Sequence, residues 1–504
     1  MSSDYLHRIL KAHVYDVAIE TPLDVAARLS ERLGNTVLLK REDLQPVFSF
    51  KLRGAYNKLA QMKPAAIERG VVCASAGNHA QGVALAARKI GIPAYIVMPV
   101  STQTIKVKAV EALGGQVLLE GANYDAAQAA AADLADSRQL PLIHPFDDPD
   151  VIAGQGTIGM EIHRQTSGNI DAVFVPVGGG GLIAGVAAYL KSISPGIRII
   201  GVEPEDAASM QAALAAGEPV TLDHVGIFAD GVAVRRVGDE TFRLCNQWVD
   251  EIVLVNNDEI CAAIQDIFEA TRAIVEPAGA LAVAGLKHYV AEQGVRDQTL
   301  VAINSGANVN FDRLRHIADR AAIGEQREAL FAVEIPERPG SFVKFCEAIG
   351  DRNLTEFNYR YHDAKAAQIF VGIELRDGDK ERALILNELT TAGYPVIDIS
   401  KNELAKLHIR YMVGGAAGPL EDERVYRFRF PERPGALRAF LQAIGQSLNI
   451  SLFHYRNHGS DYGRVLAGVQ VPDQKLAEFE AHLDALGYPR QEETDNPAYL
   501  RFLT

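Results

Sequence analysis

Four short segments in the first 320 residues carry groups that could do chemistry together. The first is Arg41-Glu-Asp-Leu-Gln-Pro-Val-Phe-Ser-Phe-Lys-Leu-Arg-Gly-Ala55, in which Lys51 stands among Phe48, Phe50 and Leu52. Apolar surroundings disfavour an ammonium ion and lower its pKa, leaving a neutral amine able to condense with an aldehyde. The competing reading is a lysine whose head snorkels to water from a helix start. The second is Ser75-Ala-Gly-Asn-His-Ala-Gln-Gly82, a turn whose free N–H groups suit a carboxylate, with Asn78 able to bond a hydroxyl or phenolate. Ser75 could instead be a plain helix cap, and His79 either a general base or a packed histidine. The third is Val177-Gly-Gly-Gly-Gly-Leu-Ile183. Its consecutive glycines let backbone approach an anion closely, which a flexible turn would not require. The fourth, Asn304-Ser-Gly-Ala-Asn308, offers the Ser305 hydroxyl to a buried heteroatom, or caps a helix.

An amine, a carboxylate nest, a phosphate cradle and a hydroxyl are what pyridoxal phosphate and an α-amino acid need. The tetraglycine segment lacks both GxGxxG spacing and the GK[ST] of a phosphate-binding loop, which disfavours a dinucleotide or nucleoside triphosphate. No metal-ligand cluster or Ser-His-Asp set competes for these positions.

The elements that must position these groups are strands and crossover helices. Short apolar runs recur at Thr36–Lys40, Gly70–Ala74, Ala94–Met98, Gln116–Leu119, Ala172–Pro176, Arg198–Val202 and Thr299–Ile303. Alanine-rich stretches of helical length, such as Asn123–Ala135, lie between them. Continuous apolar strands joined by helices predict an open, twisted α/β sheet in two lobes. Ligands of such sheets sit at the carboxyl ends of the strands, and all four segments follow predicted strands.

Near residue 322 the texture changes, and Ala321-Ala-Ile-Gly-Glu-Gln-Arg-Glu328 reads as a linker. Beyond it the chain repeats. Phe331-Ala-Val-Glu-Ile-Pro-Glu-Arg-Pro-Gly340 returns as Tyr426-Arg-Phe-Arg-Phe-Pro-Glu-Arg-Pro-Gly435, an offset of 95, and Phe357-Asn-Tyr-Arg360 as Phe453-His-Tyr-Arg456 after a one-residue slip. Each copy reads as a ferredoxin-like βαββαβ unit, giving domains at 1–322, 329–403 and 424–504. The Pro339-Gly340 and Pro434-Gly435 turns would open helices whose N–H groups could hold an amino acid's carboxylate.

The 504 residues exceed a single core, and a net charge of −14 disfavours nucleic acid or an anionic membrane as partner. Cys73, Cys245, Cys261 and Cys346 share no metal-ligand spacing and read as buried thiols of a reducing cytoplasm. The opening Met1-Ser-Ser-Asp-Tyr-Leu-His-Arg8 has no basic-then-apolar leader pattern. No apolar run is long enough to span a membrane.

Ser49-Phe-Lys-Leu-Arg-Gly54, Ser75–Gly82, Gly178–Leu182 and Ser305-Gly-Ala-Asn308 resemble the serine/threonine dehydratase branch of the tryptophan-synthase-β-like pyridoxal-phosphate enzymes. The doubled tail is similar to the paired ACT-like regulatory modules of that branch's biosynthetic members. The resemblance implies the two-lobed fold of those enzymes followed by two ACT-like modules. It implies Lys51 as the Schiff-base lysine and the base at Cα. It places Asn78 on the cofactor's 3′ oxygen and Gly178, Gly179, Gly180, Gly181 and Leu182 on its phosphate, with Ser305 facing the ring nitrogen. Ser75, Ala76, Gly77, Asn78 and His79 would hold the substrate carboxylate. Glu276, in Glu276-Pro-Ala-Gly-Ala280, resembles a position near the substrate or a bound cation, and no metal is assigned. A serine at the ring nitrogen would not hold a pyridinium, which favours prompt loss of the β-group. The implied reaction is deamination of L-threonine to 2-oxobutanoate and ammonia, at the head of isoleucine biosynthesis, with L-serine as a second substrate. The tail would bind isoleucine as inhibitor and valine as activator, in a cytoplasmic homotetramer.

Other readings of the same residues are a serine racemase or a degradative dehydratase, which usually lack the doubled tail. A threonine synthase would need a second phosphate pocket. An amino-acid sensor with an inactive catalytic half is the reading from a different class. A nicotinamide dehydrogenase has only the α/β texture in its favour.

Overall fold

The computed structural model describes the chain apart from residues 1, 337–340, 351, 353, 361–365, 412–421, 432–447, 457–461 and 504. It divides into two compact units, Met1–Asn310 and Phe311–Thr504.

The first unit holds nine strands: β1 Leu23–Val25, β2 Thr36–Arg41, β3 Val71–Ala74, β4 Ala94–Met98, β5 Gln116–Leu119, β6 Ala172–Pro176, β7 Arg198–Pro204, β8 Glu251–Val255 and β9 Thr299–Asn304. Six form one sheet in the order β1-β2-β9-β6-β7-β8, and β3-β4-β5 form a second. All neighbours are parallel except the β1–β2 edge. The smaller sheet is thus a lobe inserted between β2 and β6. Every residue of β3 and β6 is buried, as expected for parallel strands covered on both faces. Ile162, Val173, Ile183, Leu190 and Val301 belong to the core of the larger lobe; the smaller has one cluster with Val71, Cys73, Val83, Ile96 and Met98 and another with Val72, Val97, Ala127 and Ala131.

The seven strands expected from apolar runs all form. The two that were not expected lie at the sheet edges. β1 has three residues, and β8 ends at the Asn256 capping box rather than a glycine-rich turn. The helix expected from Asn123 runs Tyr124–Arg138, with the Asn123 side chain accepting the Ala126 N–H as its cap.

The second unit corrects one expectation. Residues 321–324 are not linker but the last turn of the helix Leu314–Gly324, and β10 starts at Glu328. Ile323 packs on the apolar core, and Arg320 of that helix donates to Glu403 at 2.7 Å. A segment with its own packing cannot act as a free tether.

Beyond it lie β10 Glu328–Pro336, β11 Leu354–Arg360, β12 Ala366–Glu374 and β13 Val396–Asp398, then β14 Glu423–Pro431, β15 Asn449–Arg456, β16 Tyr462–Gln470 and β17 Arg490–Glu492. The orders β11-β12-β10-β13 and β15-β16-β14-β17 are the same antiparallel arrangement twice. The repeat extends to detail. The strands bulge between Leu354 and Glu356 in one copy and between Ile450 and Leu452 in the other, which are equivalent after the one-residue slip. The two sheets share a core of matched positions: Leu330 and Val425, Phe370 and Leu466, Leu404 and Ala498, Ile409 and Leu503. Asn402 and Asn496, each capping a short helix, are themselves bonded at 3.1 Å. The Pro339-Gly340 and Pro434-Gly435 turns lie outside the described residues. No helix of the described residues is long and apolar enough to cross a membrane.

Candidate active site

Lys51 is the first residue of the helix Lys51–Gln61. Its chain end is reached through a loop zipped to the end of β9. The Phe48 carbonyl accepts the Ala307 N–H at 2.8 Å, the Ser305 carbonyl accepts the Phe50 N–H at 3.2 Å, and Ser49 bridges Gly306. Two of the four motifs are therefore one structure, joined by backbone. The amine donates to the Pro145 carbonyl at 3.0 Å and lies 5.3 Å from the Phe50 ring centre. Burial pushes its pKa down to about 8, against the opposing pull of the Glu276 charge. This is the environment of a reactive amine rather than of a snorkelling surface lysine.

The second motif follows β3. Its helix, Asn78–Ile90, opens at Gly77, which offers no side-chain cap. Ser75 does not cap the helix: its hydroxyl accepts the Gly77 N–H at 3.2 Å. The N–H groups of Ala76, Asn78 and His79 make no backbone bond outside the helix among the described residues, so the first turn keeps free donors for an anion. His79 is a packed residue. It donates Nε2–H to the Ile143 carbonyl at 2.9 Å, and burial, reinforced by the Lys51 charge, holds its pKa down near about 3.

The tetraglycine segment joins β6 to the helix Gly181–Ile193. Gly180 has φ +94°, a left-handed conformation that favours glycine. A Cβ on Gly179 would enter the Phe146 ring at 2.3 Å, and one on Gly178 would meet Val232 Cα at 2.9 Å. The Gly179 carbonyl is held from behind by the Thr241 hydroxyl at 2.6 Å. Its neighbours' N–H groups at 178 and 180 make no backbone bond among the described residues. A loop this crowded on its Cβ side, with its donors left over, fits a phosphate group.

Ser305 closes β9 and is buried, with its hydroxyl donating weakly to the Ala278 carbonyl at 3.3 Å. No helix starts there, so it is not a cap. Glu276 stands at the N-cap position of the helix Pro277–Gln293 without a side-chain capping bond, and its carboxylate accepts from Asn78 Nδ2 at 2.6 Å. The structure thus brings Lys51, Asn78, Ser305 and Glu276 into one chain of contacts at the carboxyl ends of the sheets. The tetraglycine loop joins the set through the His144–Asp147 turn, since Phe146 packs on the glycines and the preceding Pro145 carbonyl receives Lys51.

Pro145, Phe146 and His144 were not singled out from the sequence. His144 accepts the Asp147 N–H at 2.7 Å, and its ring stands edge-on to Phe146 at 4.7 Å. They belong to a loop without a glycine or serine signature, and one contributes only a backbone carbonyl. Asn308 lies inside the fourth motif and gains a role: it donates to Asn78 Oδ1 at 2.6 Å and to the Val47 carbonyl at 2.8 Å.

This fold and this set of groups define a pyridoxal-phosphate-dependent enzyme, and residues 14–306 match the family model described by that cofactor. Residues 319–409 and 414–503 each match the model of the C-terminal regulatory domain of threonine dehydratase. A Burkholderia multivorans protein named L-threonine dehydratase biosynthetic IlvA is 57% identical over 506 residues, covering 100% of both chains. Its namesake from Escherichia coli is 54% identical over 501 residues, covering 99% of this chain and 97% of that one. The solved structure of the processed form of threonine deaminase isoform 2 from Solanum lycopersicum superposes with a TM-score of 0.63 at 52% identity, covering 64% of this chain and 93% of that one. Maize serine racemase gives 0.58 at 32% identity, with 62% and 95% covered. The chain belongs to the threonine dehydratase family of pyridoxal-phosphate-dependent lyases. The resemblance drawn from the motifs is borne out, in both the catalytic fold and the paired regulatory modules.

Proposed function

We propose that the protein deaminates L-threonine to 2-oxobutanoate and ammonia, acts also on L-serine, and is inhibited by isoleucine through its tail. The observation that carries the catalytic reading is the Lys51 amine, buried, held at the Pro145 carbonyl and far easier to deprotonate than an ordinary lysine. Pyridoxal phosphate, when bound, supplies an aldehyde for an amine and a conjugated ring that spreads negative charge from Cα.

The residues present fit that group. Gly178, Gly179, Gly180, Gly181 and Leu182 would hold its phosphate through N–H groups, Ser305 would face its ring nitrogen, and Asn78 its 3′ oxygen. Ser75, Ala76, Gly77, Asn78 and His79 would hold the substrate carboxylate at the open helix end. Lys51 takes the Cα proton as general base, a task for which an amine with a pKa near about 8 is well matched at neutral to mildly basic pH. His79, neutral and with its one ring proton held on the Ile143 carbonyl, orients the carboxylate turn and relays no proton.

The regulatory reading assigns isoleucine as inhibitor, and valine as activator, to the doubled modules. We place the catalytic domain at Met1–Asn310, short of the 1–322 read from the sequence, and the modules at 329–403 and 424–504, in a cytoplasmic homotetramer. The buried thiols of Cys73, Cys245 and Cys261 accord with a reducing compartment.

The test is one assay on purified protein: the cofactor's visible absorbance, then 2-oxo acid formation from L-threonine with and without isoleucine. Turnover suppressed by isoleucine supports the whole reading. Absorbance without product rejects the deaminase, and product untouched by isoleucine rejects the role given to the tail.

A further inference from the structure

Two residues beyond Lys51, Arg53 enters a buried ionic cluster that the reaction as described does not use. Its guanidinium donates to both oxygens of Glu42 at 2.8 Å, and to Glu161 at 2.6 and 3.0 Å. It also donates to Thr157 Oγ1 and to the Ile19 carbonyl, each at 3.1 Å. Lys40 donates to Glu161 Oε2 at 2.6 Å and to the Thr21 carbonyl at 2.7 Å. All four ionic side chains are 0% exposed. Two cations and two anions leave the cluster neutral.

Stability alone does not explain such a set, because desolvating four charges offsets most of their attraction, and well-packed apolar side chains serve as well. What the cluster does is join elements. Lys40 is the last residue but one of β2, Glu42 lies in the turn after it, and Glu161 sits on the helix Pro149–Thr166. Arg53 ties all three to the first turn of the Lys51 helix. The backbone there is gripped as well. A Cβ on Gly82 would lie 3.1 Å from the Lys51 carbonyl carbon, and one on Gly154 would lie 2.7 Å from the Arg53 oxygen. Helices on both sides therefore approach this turn at glycine distance.

We propose that Arg53 is the positioning residue for Lys51: its planar fork clamps the helix start between Glu42 and Glu161, and together with Lys40 its charge cancels theirs. Lys51 then begins its helix beside a neutral cluster. A lysine at position 53 would carry the charge but could not span both carboxylates. The groups that face Lys51 directly are Glu276 from the helix Pro277–Gln293, His79 from the helix Asn78–Ile90, and His144 from the turn before the helix Pro149–Thr166. Against that fixed set, losing the Arg53 charge leaves the cluster at −1 and draws a proton onto Lys51. Losing the Glu161 charge leaves +1 and repels it.

The proposal rests on Lys51 as the reactive amine, so the test reads that amine apart from turnover. Full-length protein stripped of cofactor is labelled with an amine-acylating reagent across pH, and the Lys51 peptide is followed by mass spectrometry. Arg53→Gln is expected to raise the labelling midpoint, and Glu161→Gln to lower it, each by roughly half a pH unit. The double variant, neutral again, returns the midpoint to that of the parent. Arg53→Lys keeps the midpoint but lowers kcat for threonine by about 10- to 100-fold, with KM changed much less. Midpoints that do not move in opposite directions, or an Arg53→Lys protein with the parent's kcat, overturn the proposal. Should Arg53→Gln or Glu161→Gln fail to fold, Arg53→Lys still decides it through kcat. A Lys51→Ala protein that keeps turning over threonine would instead sink the reading of Lys51 itself.

Discussion

Asn78 donates its side-chain N–H to Glu276 across 2.6 Å, and its carbonyl accepts from Asn308 at the same distance. The three residues come from the helix after β3, the helix Pro277–Gln293 and the loop after β9. A relay of three side chains thus spans the cleft from the small sheet to the large one. It also places the Glu276 charge where it holds the Lys51 pKa up against burial. Glu276→Gln keeps the shape and removes the charge, so the Lys51 pKa should fall below its value of about 8. The acid limb of kcat for threonine, which reports the substrate complex in which the amine is free, is then expected at lower pH. An unmoved limb, or one at higher pH, would contradict the assignment.

The depressed Lys51 pKa also makes a statement about stability. Between about 8 and the model-peptide value of 10.5, the unfolded chain keeps a proton on this lysine that the folded chain has lost. Stability therefore rises with pH across that window wherever the unfolded state binds more protons. Thermal melts of cofactor-free protein should show this rise relative to Lys51→Met, whose curve lacks the contribution. Parallel curves would mean that the amine is not desolvated.

Lys51→Ala removes the amine without disturbing the elements that flank it. Cofactor absorbance typical of an attached aldehyde should vanish, and threonine turnover should drop by roughly 10²- to 10⁴-fold from loss of the base alone. Turnover at the parent's rate would exclude Lys51 as the base.

Gly179→Ala drives a methyl group into the Phe146 ring, which lies 2.3 Å from the Cβ position. Overpacking of this kind costs about 1–3 kcal/mol, and here the loop itself must shift. Weaker cofactor retention on dialysis is expected, with partial recovery in Gly179→Ala/Phe146→Ala. The double-variant cycle measures the coupling, and strict additivity would show that the two residues do not meet.

Removing residues 311–504 takes away the second compact unit whole, including the helix Leu314–Gly324. The remaining fragment should bind cofactor and turn over threonine with no response to isoleucine. An isoleucine-sensitive fragment would place the effector site in the catalytic half.

Much of this was readable in the residues, for physical reasons that differ along the chain. β3 and β6 announce themselves because strands buried on both faces are uninterrupted apolar runs. The tetraglycine loop is legible because Gly180 needs positive φ and Gly179 leaves no room for a methyl. Pro145 is the opposite case. Its carbonyl receives Lys51 across 94 positions of sequence, and a backbone oxygen leaves no trace in residue type. The segment 321–324 misled because its alanines and glycine look like a tether, whereas its helix is fixed by Arg320 reaching Glu403 far down the chain.

The matched core of the tail has a consequence for its ancestry. Leu330 and Val425, and Phe370 and Leu466, are duplicated positions that share one core, and Asn402 bonds its own duplicate Asn496. That is the pattern of an isologous interface between two identical subunits, here fused into a single polypeptide. Half of the tail, produced alone, would carry a sticky self-complementary face, and its natural resting state would be a homodimer rather than a lone sensor.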